Sequence, residues 1–157
     1  MWTPQPVWQA LKQGIDCPMC ADIHLDENVH SFLVAELSQS FVRLPKNQYM
    51  RGWTLVACKR HVNELFELTD QELAAFWRDV ATVAKALDFL YAPAKINYAV
   101  FGNLCPHLHC HLLVQTYQDD PHKPINMHEQ EVFLAPAEYQ QMIKALHERI
   151  FSSGSVV

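Results

Sequence analysis

The chain has little charge and no run of it. Only 18% of its 157 residues are Asp, Glu, Lys or Arg, and the balance is −5. Duplex nucleic acid is therefore excluded as the main ligand, because gripping a phosphate backbone needs clustered Lys and Arg. The chain also lacks an apolar stretch of membrane-spanning length, so no membrane partner is expected. Its opening, Met1-Trp2-Thr3-Pro4-Gln5-Pro6, has no basic start followed by an apolar run, so no secretory signal is read there. Five cysteines are an odd number for a disulfide framework and point to a reducing compartment, with the cytoplasm expected. No internal repeat and no long linker divides the sequence, so residues 1–157 read as a single domain. Half of the residues are apolar, enough for one core at this length.

Residues 1–16 hold two prolines and then Val7-Trp8-Gln9-Ala10-Leu11, a short N-terminal helix ended by Gly14. Residues 32–37, 40–45 and 53–58 are β-branched and aromatic runs that read as antiparallel strands, the third following a turn at Gly52. Thr69-Asp70-Gln71-Glu72 is a capping box. After it Leu73, Phe76, Trp77, Val80, Val83, Ala84, Leu87 and Leu90 recur at helical spacing until Pro93. This long helix is expected to cross the sheet with its stripe as core. Residues 95–101 read as a fourth strand, Gly102-Asn103 as a turn, and 106–114 as a fifth strand returning antiparallel. Pro136 opens a last helix with Tyr139, Met142, Ile143, Leu146 and Ile150 on its apolar face, and the tail 152–157 should fray. The fold class expected is α+β.

The fifth strand carries the chemistry. In Pro106-His107-Leu108-His109-Cys110-His111-Leu112, histidines alternate with apolar residues. A strand rising roughly 3.3 Å per residue puts alternate histidines on one face about 6.6 Å apart. The opposite face is apolar and belongs to a core. A lone histidine there would be structural, but three compete for the same protons and partners. Metal ligation and phosphate handling with a nucleophilic histidine both fit. A single catalytic ion held by all three is disfavoured, since such spacing is too wide for Zn–N bonds of about 2.0–2.1 Å.

Cys17-Pro18-Met19-Cys20 is a C-x-x-C knuckle with three readings: zinc half-site, redox pair, or coincidence. It follows a short helix and precedes polar loop residues, which weakens the redox reading. Cys58, Cys105 and Cys110 read as small buried fillers. His24, His30, His122, His128 and His147 read as solvated, His122 being nearest to the histidine strand in sequence.

Together these residues resemble the histidine triad family of nucleotide hydrolases and transferases. The resemblance rests on His107-Leu-His109-Cys-His111-Leu-Leu, the knuckle, Lys59-Arg60-His61-Val62, the capped helix and Gly102-Asn103. It implies a five-stranded, mostly antiparallel sheet with a long helix across it, paired into a homodimer. His109 would be the nucleophile, attacking the α-phosphate of a dinucleoside polyphosphate or nucleoside phosphoramidate to give a nucleotidyl-histidine. His111 would bind a phosphate oxygen or the leaving group, and Asn103 another oxygen. In zinc-bearing, bacterial-type members the positions of Cys17, Cys20, His61 and His107 hold one structural zinc. No organic cofactor is implied. Two departures stand out. Val114-Gln115-Thr116 replaces the Pro-Arg that follows the triad in many relatives, and Glu36 is the nearest, weak match to their ribose-binding acid. A non-catalytic nucleotide-binding module on the same fold is the alternative.

Overall fold

The protein is described by a computed structural model covering residues 1–127 and 129–152. His128 and the end of the tail, 153–157, lie outside the described residues. Helices α1 (Gln5–Lys12) and α2 (Pro18–Asp22) lead into strands β1 (Ser31–Glu36), β2 (Ser40–Pro45) and β3 (Thr54–Cys58). Helix α3 (Asp70–Tyr91), strands β4 (Lys95–Ala99) and β5 (His109–Gln115), and helix α4 (Pro136–Ser152) follow. A 3-10 turn at Leu65–Glu67 precedes α3.

The sheet runs β1-β2-β3-β5-β4, and every neighbouring pair is antiparallel. It is the expected α+β architecture. Because β5 lies between β3 and β4, it is hydrogen-bonded along both edges and is buried over nearly its whole length. Leu108, Cys110 and Leu112 enter the main core, where Phe76, Val80, Val83 and Leu87 of α3 meet them. Tyr139, Met142, Leu146 and Ile150 of α4 close the same core. Trp77, expected in the stripe, is 37% exposed.

Local chemistry explains the element ends. The Thr69 hydroxyl accepts the Glu72 amide N–H, and the Thr69 amide donates back to the Glu72 carboxylate, closing the capping box. Gly52 turns the chain into β3 at φ +90°, where a Cβ would also stand 3.0 Å from Tyr91 and Val114. Buried Asp79 of α3 accepts from the Ser38 and Ser40 hydroxyls and the Gln39 amide, fixing the β1–β2 turn to the helix. Buried Arg43 of β2 donates to the carbonyls of Ile23, Leu25 and Ser31, tying the N-terminal segment to the sheet.

Some boundaries differ from the sequence reading. The knuckle opens helix α2, with Cys17 as its N-cap. β4 stops at Ala99 and β5 starts at His109, so Val100, Phe101 and His107 lie off the ladder. Pro106 has no N–H to donate there. Ser152, expected to fray, ends α4.

Candidate functional site

The two faces of β5 are both covered, in different ways. On the face away from α3, Trp53, Leu113 and Met127 form a small second cluster against Met50, Leu55 and Ala99. Leu55 and Ala99 flank His111 in register on β3 and β4. Beside this cluster opens a cleft of about 750 Å³. His109, His111, Asn103 and Trp53 line it, with Met19, Phe101, Leu104, Met127 and Phe133 as apolar walls. The structure thus brings Asn103, His109 and His111 to one cavity.

The protons of these histidines can be assigned from their partners. His109 Nδ1 lies 2.6 Å from the His107 carbonyl. A carbonyl only accepts, so Nδ1 carries the proton and Nε2 keeps its lone pair. Burial lowers the His109 pKa from its ordinary value, with the His107 carbonyl opposing, so the neutral ring is favoured. His111 Nδ1 accepts the Trp53 indole N–H at 3.2 Å, and the indole can only donate. The His111 proton therefore sits on Nε2. The two rings are edge-on with centroids 4.8 Å apart, a lone pair beside a donor.

His107 does not share this cleft. Just ahead of β5, its ring stands edge-on to His61, centroids 5.2 Å apart. Its Nε2–H donates to the Cys58 carbonyl at 2.7 Å, so Nδ1 offers a lone pair. That atom is 3.6 Å from Cys17 Sγ and 3.5 Å from Cys20 Sγ, and Cys20 Sγ is 3.3 Å from His61 Nδ1. His61 Nε2 faces the Lys12 carbonyl at 3.3 Å, which leaves its Nδ1 bare as well. The four ligand atoms lie within 4.8 Å of one another. A tetrahedral zinc with Zn–S near 2.3 Å and Zn–N near 2.0–2.1 Å needs sulfur–nitrogen edges of about 3.5 Å. The side chains fit zinc in type and spacing, and the Cys58 and Lys12 carbonyls hold the far nitrogens of both imidazoles, aiming the near ones at the cluster. Burial also pulls the His107 pKa down to about 4, so its ring is neutral at ordinary pH.

Other sequence expectations need correction. Cys105 is no core filler: it lines the cleft, and its Sγ is 3.8 Å from that of Cys17. Cys58 and Cys110 are fully buried. Glu36 is outside the cleft lining and pairs with Lys59 at 2.7 Å. His30 is exposed, as expected, and stands at the cleft with Lys46, Asn47 and Glu131. Lys46 is held by Glu27 at 2.6 Å. His30 lies just before β1, Lys46 and Asn47 just after β2 and Glu131 ahead of α4, so nothing in the sequence marks them as neighbours, whereas Trp53 shares the parity of Leu55 on β3. His147 donates from Nδ1 to the Val34 carbonyl at 2.8 Å. Gln115 and Thr116 line a separate recess of about 290 Å³ that also includes Arg51 and Lys123.

A histidine triad protein from Bradyrhizobium japonicum is 25% identical, with a TM-score of 0.71 over 77% of this chain and 91% of that one. A Zn-bound histidine triad family protein from Mycobacterium smegmatis is 18% identical, with a TM-score of 0.65 over 90% of this chain and 97% of that one. The diadenosine triphosphate hydrolase of Plasmodium falciparum shares the fold at 11% identity, with a TM-score of 0.61 over 78% of each chain. None of the curated proteins matched by sequence. The HIT domain family model matches residues 26–118, which include β1 to β5 and all three triad histidines, and the chain belongs to the HIT domain family.

Proposed function

We propose that this protein is a histidine triad hydrolase or transferase acting on a nucleotide conjugate, either a dinucleoside polyphosphate or a nucleoside phosphoramidate. The observation that carries the reading is the state of His109. Its Nδ1–H is spent on the His107 carbonyl, and its bare Nε2 is the atom left for a substrate in the apolar cleft. A neutral imidazole attacks phosphorus without a separate base, and the labile N–P bond it forms divides one hard step into two. His111 Nε2–H and the Asn103 amide serve as donors to phosphoryl oxygens as charge builds there. The apolar walls take the nucleoside.

Cys17, Cys20, His61 and His107 hold one zinc in this proposal, as in a zinc-bearing bacterial-type member. Two thiolates and two imidazoles close the tetrahedron, so the ion is structural and supplies a fixed link between the knuckle and the triad strand. Because His107 faces that cluster, a shared catalytic ion on all three histidines is disfavoured. The protein acts as a homodimer of single-domain chains in the cytoplasm. Among the described residues no helix is long and apolar enough to cross a membrane.

Intact-protein mass spectrometry after brief mixing with both substrate classes tests the reaction. A transient adduct of one nucleoside monophosphate is expected on the wild type and none on His109→Asn. No adduct and no product, with the protein folded and nucleotide bound, would replace this reading with a binding module.

A further inference from the structure

We infer that Phe133 and Glu131, on a strip of chain pinned beside the end of β2, form a nucleoside-recognition edge of the cleft. Phe133 stacks on the base, and Glu131 accepts from the nucleoside's hydrogen-bond donors. The inference rests on the nucleotide reading above and deepens it by naming what grips the organic half of the substrate. Both residues lie past residue 118, where the match to the HIT domain family ends.

The strip is held as the edge of a strand is held. The Asn47 side-chain amide donates to the Gln130 carbonyl at 3.0 Å, and its oxygen accepts the Val132 N–H at 3.0 Å. The Gln48 N–H donates to the Val132 carbonyl at 2.8 Å. The Leu134 N–H donates to the Tyr139 hydroxyl at 2.9 Å, and that hydroxyl donates to the Lys46 carbonyl at 2.5 Å. Every second residue of the strip is thus bonded through its backbone, the alternation of extended chain. In such a chain, side chains two apart share a face. Glu131 and Phe133 both line the cleft, and Val132 between them does not. The support is firm, since Gln48 is 2% exposed and its side-chain amide bonds the Pro45 and Trp53 carbonyls.

Phe133 belongs to neither hydrophobic cluster and is 64% exposed, although the backbone on both sides of it is fixed. Val29 and Leu104, also at the cleft, are exposed at 80% and 83%. An apolar mouth with a stationary aromatic ring fits a flat ligand, and every nucleobase has a π-face to stack. Glu131 is exposed and is the sole carboxylate among the described residues that line the cleft. An ionised carboxylate only accepts, so it attracts donors and repels phosphate. A nucleoside offers donors in two places, the ribose hydroxyls and the base N–H groups. His109 and Asn103 line the same cavity of about 750 Å³, ample for the phosphate end of the same ligand. Asn47 is a positioning residue that acts through the strip.

The test is calorimetric binding to the full-length chain. The probe is whichever common ribonucleoside monophosphate binds tightest, with ribose phosphate as the control that has no base. Phe133→Ala is expected to weaken the nucleotide about 10-fold and leave ribose phosphate unchanged, while Phe133→Tyr keeps wild-type affinity. Glu131→Gln is expected to weaken the nucleotide about 5-fold, the loss of a charge-assisted acceptor. Two analogues identify the donor: the dideoxy form, and the nucleotide with its base N–H groups removed. The analogue that binds wild type and Glu131→Gln equally lacks the group that Glu131 holds. Asn47→Ala should weaken the nucleotide as Phe133→Ala does and speed amide exchange at Val132 and Leu134. Asn47→Asp keeps the acceptor for Val132 and should fall between. Phe133 and Glu131 are exposed, so their replacement leaves the fold intact. Wild-type nucleotide affinity in Phe133→Ala or Glu131→Gln would overturn the inference while the nucleotide reading stood. Equal weakening of ribose phosphate by Phe133→Ala would also overturn it, as would discrimination by Glu131 that survives in both analogues. If the wild type binds no nucleotide and His109 forms no adduct, the nucleotide reading falls and takes this inference with it.

Discussion

At the scale of single residues, the two cleft histidines are distinguished by what holds Nδ1: a carbonyl for His109 and an indole N–H for His111. The same strand therefore presents one ring with a bare Nε2 beside another with its proton on Nε2. Burial gives His109 a pKa below its ordinary value of about 6.5, so silencing Nε2 by protonation takes more acid than for a free histidine. The acid limb of adduct formation, measured by rapid quench across pH, is expected below pH 6.5. A limb at or above that value would mean that substrate or neighbouring charge, not burial, governs the ring. Burial has an opposite consequence for the fold. Unfolded histidines take up protons below about 6.5 that the buried rings refuse, and His107 charges only near pH 4. This stability is present above pH 6.5 and is lost as pH falls toward 4. In chelator-treated protein the urea midpoint is expected to drop between pH 7 and pH 5.

At the scale of elements, α3 depends on its cap and β2 on its buried cation. Thr69→Ala removes the hydroxyl acceptor of the Glu72 amide and is expected to cost about 1 kcal/mol. That corresponds to a melting point lower by roughly 2–4 °C, read by calorimetry. Arg43→Met leaves the carbonyls of Ile23, Leu25 and Ser31 without their charged donor, a loss on the order of 3 kcal/mol in denaturant titration. The cap was legible in sequence because it is local: four consecutive residues contain the whole motif. Core assignments from periodicity held for the same reason, apart from Trp77 at the margin of the stripe. Arg43 was not legible, since its partners come from a distant segment and a charged residue in a strand gives no sign of burial. His107 was assigned to the strand because alternation continues through it, while its backbone N–H turns back onto the Cys105 carbonyl instead of joining a ladder. The hydrogen bond from Trp53 to His111 crosses two strands far apart in the chain, so only the β3–β5 register exposes it.

At the scale of the whole molecule, the Cys17–Cys20–His61–His107 cluster joins three distant segments beside the cleft. A zinc there closes two long loops at once, which is where a metal clip constrains an unfolded chain most. One zinc per chain is expected by native mass spectrometry. Its removal is expected to speed amide exchange in α1, α2 and residues 105–108, while α3 and the β1–β3 ladder stay protected. Uniform loosening of every element would instead make the ion a global requirement. Met19 and Cys105 line the cleft from segments joined to this cluster, so metal loss should also raise KM for a nucleotide substrate.

The position of β5 has a consequence for how the protein is made. During synthesis β1, β2, β3, α3 and β4 all leave the ribosome before the strand that must be inserted between β3 and β4. Until β5 arrives, the β3 and β4 edges that it pairs have no sheet partner. The nascent chain must wait with an open seam, exposed to pairing with other chains. The strand that seals the seam is the one carrying His109 and His111, so the sheet and the cleft's pair of histidines are completed together, before α4 closes the core.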